Sequence, residues 1–217
     1  MTEPRRGRPR TPLLSRDSIV AATLQVIDAD GVGAVGMRSV ARALGVDAKS
    51  LYNHVDGKDG LLDAVAEQLL GGLVLPAATG DPRRDLHAIA GSFRTAALAH
   101  PQAAPLVLTR QLASLEGLAP VDAVLSVLLG AGASPEGAVH LLRMLLATLI
   151  GTLLREVSAA PAFGSDDGVR RAALEASGLP AVATTAAHLA EFDRGAEFEY
   201  TVDLAITAVL DRINLQR

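Results

Sequence analysis

Residues 37–55, reading MRSVARALGVDAKSLYNHV, constrain this chain more than any other stretch. They read as two short helices joined by a tight turn at Gly45. Ala41 is small, so a second helix can cross closely over the first. Gly45 can take a positive φ at the helix end, where a side chain would be costly. Val46 points inward after the turn, and Asp47 can cap the next helix. Val40, Leu44 and Leu51 lock the pair. Ala48, Lys49, Ser50, Tyr52, Asn53 and His54 are then left facing outward, a short, polar set suited to base edges and phosphates. The pattern is that of a helix-turn-helix, whose second helix lies in the major groove of DNA. An ordinary helical hairpin with a solvated face is the competing reading.

Two neighbouring features weigh against the plain hairpin. Lys58 opens the next helix, where a lysine and a helix N-terminus together suit a phosphate. Residues 1–14 hold Arg5, Arg6, Arg8 and Arg10 among Pro4, Gly7, Pro9 and Pro12, which reads as a flexible basic arm. Its Arg6-Gly7-Arg8-Pro9-Arg10 core resembles an AT-hook, with arginines for a narrow minor groove. A charged solubilising tail is the alternative. Charge is divided along the chain: nine Lys and Arg face seven Asp and Glu in residues 1–60, against eleven and seventeen in residues 61–217. A basic head on an acidic body fits a chain that meets DNA at one end.

The rest reads as all-α. The 217 residues allow a sizeable core. Ala, Leu and Val supply its apolar mass, as suits packed helices. Ser15 caps a first helix that Gly31 and Gly33 end. A longer helix runs from about 58 to 75, and residues 76–80 form the boundary between a DNA-binding domain at 15–75 and a regulatory domain at 81–217. Asp81-Pro82 and Ser134-Pro135 are cap–proline starts for helices reaching about 100 and 157. Shorter helices are expected at 102–110, 119–130, 169–177 and 181–190, and a last one at 196–213.

Other signals exclude rather than assign. Gly31-Val32-Gly33-Ala34-Val35-Gly36 spells the dinucleotide-binding pattern, but it follows a helix and no strand precedes it. No catalytic motif appears, so neither an enzyme nor a cofactor or metal site is expected. Absent cysteine fits a reducing cytoplasm. No signal peptide is visible. The most apolar run, 144–154, is shorter than the roughly 20 residues a membrane span takes, so a buried helix is expected and no membrane partner.

Residues 15–75 resemble the DNA-binding domain of TetR-family transcriptional regulators. The resemblance rests on Ile19-Val20-Ala21-Ala22, Met37-Arg38-Ser39-Val40-Ala41, Leu44-Gly45-Val46, Ser50-Leu51-Tyr52-Asn53-His54-Val55 and Lys58-Asp59-Gly60-Leu61-Leu62-Asp63. The last two are closest to the tetracycline-repressor subgroup. The body is more loosely similar, through Ser92-Phe93-Arg94 and Phe198-Glu199-Tyr200 with Asp203-Leu204-Ala205-Ile206. The resemblance implies base contacts from Arg38, base or phosphate contacts from Lys49 and Ser50, backbone contacts from Tyr52, Asn53 and His54, and a phosphate contact from Lys58. It also implies a homodimer on a palindromic operator, its heads about 34–36 Å apart, released by a small molecule between the body helices. Phe93, His100, Arg110, His140, Met144 and Thr148 are the candidate ligand residues. Valines near 74 and 107, where tetracycline repressors carry histidines, argue against tetracycline–magnesium as the effector. The alternatives left open are a DNA-binding regulator whose body only dimerises or binds a protein, and a helical enzyme or carrier.

Overall fold

The computed structural model describes residues 14–109, 118–158 and 166–215. Among them there are twelve α-helices and no strand: α1 Arg16–Asp30, α2 Met37–Leu44, α3 Ala48–Leu51, α4 Gly57–Gly71, α5 Pro82–Ala99, α6 Ala104–Thr109, α7 Ala119–Gly130, α8 Pro135–Ser158, α9 Asp167–Glu175, α10 Pro180–Thr184, α11 Ala186–Ala190 and α12 Arg194–Asn214. Their starts follow local chemistry. Ser15 and Ser18 form a reciprocal capping box on α1. Asp81 accepts from the Arg83 and Arg84 amides, with Pro82 in the first turn of α5. Ser134 Oγ accepts from Gly137 N at 3.1 Å, and Asp166 caps α9 through the Gly168 and Val169 amides.

Some bounds differ from the sequence expectation. Helix α4 stops at Gly71 rather than near 75, because Gly71 and Gly72 in succession are poor helix formers. The stretch expected as one helix at 181–190 is two short ones, α10 and α11. The glycine pattern at 31–36 forms a single 3-10 turn, Val32–Ala34, after α1.

Two apolar clusters hold the chain. The head cluster joins α1, α2, α3 and α4 through Ile19, Ile27, Val40, Leu51, Leu61 and Val65, and it also takes in Ala103 and Leu106, just before and within α6. The body cluster joins α5, α7, α8 and α12 through Leu86, Ile89, Leu128, Leu153, Phe198, Val202, Ile206, Val209 and Ile213. At about 0.8 kcal/mol per buried methylene, these aliphatic side chains dominate the stabilisation. The head therefore closes around side chains that lie beyond residue 81 in sequence.

Helix α8 is longer than the apolar run that marked it, and it includes Arg143 and Arg155. By length and composition alone it could cross a membrane, yet it packs against α12, α7, α6 and α5. Only 22% of its most apolar window is buried, so much of its surface awaits a cover.

Candidate nucleic-acid interface and body cavity

The turn in the head is built as the residues dictate. Gly45 sits at φ 67°, ψ 30°, in the left-handed region that glycine enters without strain. Its amide and that of Val46 close the end of α2. Asp47 then accepts from Lys49 N at 2.7 Å and starts α3. That helix is one turn long and continues as hydrogen-bonded turns to Val55, with His54 N and Val55 N both donating to Leu51 O. Leu51 is fully buried and anchors the unit to the head core.

Around this anchor the side chains of Arg38, Lys49, Tyr52, Asn53, His54 and Lys58 are exposed, and Ser50 is half-buried. Tyr52 is 59% exposed, an unusual position for a large aromatic unless a partner covers it. Ala48 does not belong to the outward set: it packs against the head core. As the first residue of a one-turn helix it lies beside the Val46–Leu51 anchor rather than opposite it. Arg42 was missed. It is exposed on α2 four residues after Arg38, and that spacing places both arginines on one helix side. Among the described residues, Arg38, Arg42 and Lys49 are held in no ion pair. Arg5, Arg6, Arg8, Arg10 and Arg110 lie outside the described residues.

The body holds a cavity of about 60 Å³ between α5, α7, α8 and α12. Its walls are Leu86, Ile89, Ala90, Phe93, Val121, Val124, Leu142, Leu145, Leu146, Leu149, Val202, Ala205 and Ile206, with Pro120 and Thr148 completing them. Thr148 alone brings a polar side chain, and its hydroxyl donates to Met144 O at 3.0 Å. Of the residues expected here, Phe93 and Thr148 line the cavity. His140 and Met144 do not, because they stand on the solvent side of α8. His100 lines a second cavity of about 20 Å³ between α4, α5 and α6, with Leu69, Leu70, Leu73, Phe93, Val107 and Leu108. Val74 is exposed near the end of the 73–80 connection. No cluster of three or more His, Cys, Asp or Glu suited to a metal occurs among the described residues.

Residues 19–65 match the family model of bacterial regulatory proteins, tetR family. Residues 75–211 match that of the tetracyclin repressor-like C-terminal domain. The chain belongs to the TetR family. It is thus a TetR-family transcriptional regulator rather than an enzyme. Over 122 residues it is 40% identical to an HTH-type transcriptional regulator of Saccharopolyspora erythraea, covering 56% of this chain and 52%, about half, of that one. The tetracycline repressor protein class A from transposon 1721 of Escherichia coli is 32% identical over 169 residues, 76% of each chain. Among solved structures, a possible TetR family transcriptional regulator from Streptomyces coelicolor A3(2) is similar over 94% of this chain and all of that one, at 28% identity and a TM-score of 0.78. ActR from Streptomyces coelicolor, in complex with actinorhodin, is similar over 92% of this chain and 96% of its own, at 25% identity and a TM-score of 0.80.

Proposed function

We propose that this TetR-family chain is a cytoplasmic repressor that binds a palindromic DNA operator as a homodimer and leaves it when a small molecule occupies the body. The exposed set Arg38, Arg42, Lys49, Tyr52, Asn53, His54 and Lys58, mounted on one buried anchor at Leu51, carries this reading. It joins cations for phosphates to short polar groups for base edges. Residues 15–75 act as the DNA-binding part, and residues 81–217 regulate and dimerise.

The dimer draws support from the uncovered surfaces of α8 and α12. Tyr200 and Leu204 stand 69% and 58% exposed on α12, and Ala147 and Gly151 line the exposed side of α8. Apolar and small side chains of this kind suit close helix packing across a two-fold axis. The apolar body cavity supports a small-molecule effector, as in ActR bound to actinorhodin. A ligand that favours badly spaced heads lowers DNA affinity by linkage.

Selection of bound sequences from a random DNA pool tests the proposal. An enriched palindrome, with half-sites one helical turn apart, is expected. Recovery of no palindrome overturns the repressor reading.

A further inference from the structure

The two body cavities share a wall. Phe93 lines both, facing the α7–α8–α12 chamber on one side and the α4–α6 chamber on the other. Neither chamber holds much: about 60 Å³ and about 20 Å³, where a benzene-sized guest needs roughly 150 Å³. Any multi-ring guest therefore has to displace Phe93 and join the chambers. The first chamber offers no charged side chain, and Thr148 has its hydrogen committed to Met144 O. An ionised group would lose its hydration there with nothing to replace it.

The second chamber touches the head. Leu69 and Leu70 belong to α4, and His100 Nδ1 donates to Asp28 Oδ2 of α1 at 2.9 Å. His100 thus faces the chamber while bonding the head.

We propose that the effector is a neutral, multi-ring, predominantly apolar molecule that displaces Phe93, spans both chambers and breaks the His100–Asp28 bond between body and head. This rests on the reading of the body as the effector-binding part. Size selects against single rings, desolvation selects against ions, and the broken bond carries occupancy to α1.

A matched pair of probes tests it on the full-length protein. N-phenyl-1-naphthylamine and 1-anilinonaphthalene-8-sulfonate share their rings and differ by one anionic group. The neutral probe is expected to bind at least about tenfold more tightly, and benzene is expected not to displace it. Phe93→Ala and the milder Phe93→Leu both tighten binding of the neutral probe, since the partition is then already lowered. Saturating neutral probe raises hydrogen exchange in α1 of the wild type. Asp28→Ala keeps the probe affinity, exchanges fast in α1 without probe, and shows no further rise.

Equal affinity for the two probes, no binding of either, displacement by benzene, unchanged or weaker binding in both Phe93 variants, or a full α1 response in Asp28→Ala each overturns the proposal. The DNA selection stands apart. A palindrome with no preference between probes sinks only this inference. The probe pattern without a palindrome sinks only the repressor reading.

Discussion

Arg94 of α5 and Glu156 of α8 meet in a two-pronged ion pair, with Arg94 Nη2 at 2.7 Å and Nε at 3.1 Å from Glu156 Oε1. Glu156 is only 4% exposed, and the guanidinium also lies 5.0 Å over the Phe198 ring of α12. One cation therefore fastens three helices. The hydrogen bond to Glu156 comes first among the influences that raise the Arg94 pKa above its ordinary value.

Removing one partner leaves a buried charge uncompensated. Arg94→Ala is expected to destabilise the protein by about 3–5 kcal/mol, measured by denaturant unfolding. The double variant Arg94→Met/Glu156→Leu recovers most of that loss, because it leaves neither charge behind. A double variant as unstable as Arg94→Ala would show that the pair does more than satisfy itself.

Asp85 supplies the acid-sensitive contact. Its carboxylate accepts from Thr79 Oγ1 at 2.7 Å, Thr79 N at 2.9 Å and Gly80 N at 3.2 Å. These bonds, the Thr79 hydroxyl foremost, hold its pKa below the ordinary carboxylate value of 3.8. A depressed folded-state pKa gives stability that is present above the ordinary value and lost as pH falls through the depressed one. Asp85→Asn should therefore melt lower than the wild type at pH 7, with the gap closing below about pH 4. A gap that stayed constant on acidification would refute the linkage.

On DNA, cations that touch phosphates and side chains that touch bases separate by their salt dependence. Arg42→Ala and Lys58→Ala are expected to weaken binding evenly across sequences, each lowering the slope of log K against log salt by about 1. Lys49→Ala should instead shift which bases the selected palindrome carries. Filter binding across a salt series, with selection repeated on each variant, measures both.

The dimer surface predicts a charge-sensitive position. Leu204→Glu places a carboxylate on the uncovered side of α12, and should cost association about 2 kcal/mol or more. Sedimentation equilibrium reads this as a shift toward monomer, with helical content unchanged. A variant that stayed dimeric at low concentration would place the interface elsewhere.

What the sequence revealed was set by contacts a few residues apart. The Ser15–Ser18 box, the Asp47 cap, the Asp81-Pro82 start and the left-handed Gly45 depend on neighbours within one turn, so local pattern suffices. Side-chain direction on α8 was different. A helix that is apolar nearly all round does not say which side faces inward, so His140 and Met144 were assigned to a cavity they do not line. Glu156 carried no signal either, since its partner is 62 residues away. Phe93 was legible as a cavity residue, but its place between two chambers follows from how α4 and α6 pack.

Ala103 and Leu106 sit inside the head's apolar cluster although both lie beyond residue 81. Cutting the chain in the 76–80 connection would uncover that core and leave two side chains without their seat. Chimeras that exchange DNA specificity between related regulators should therefore carry the 103–106 side chains along with the head. The two parts are not interchangeable cartridges, and a change of operator in this lineage must be accommodated by the body as well.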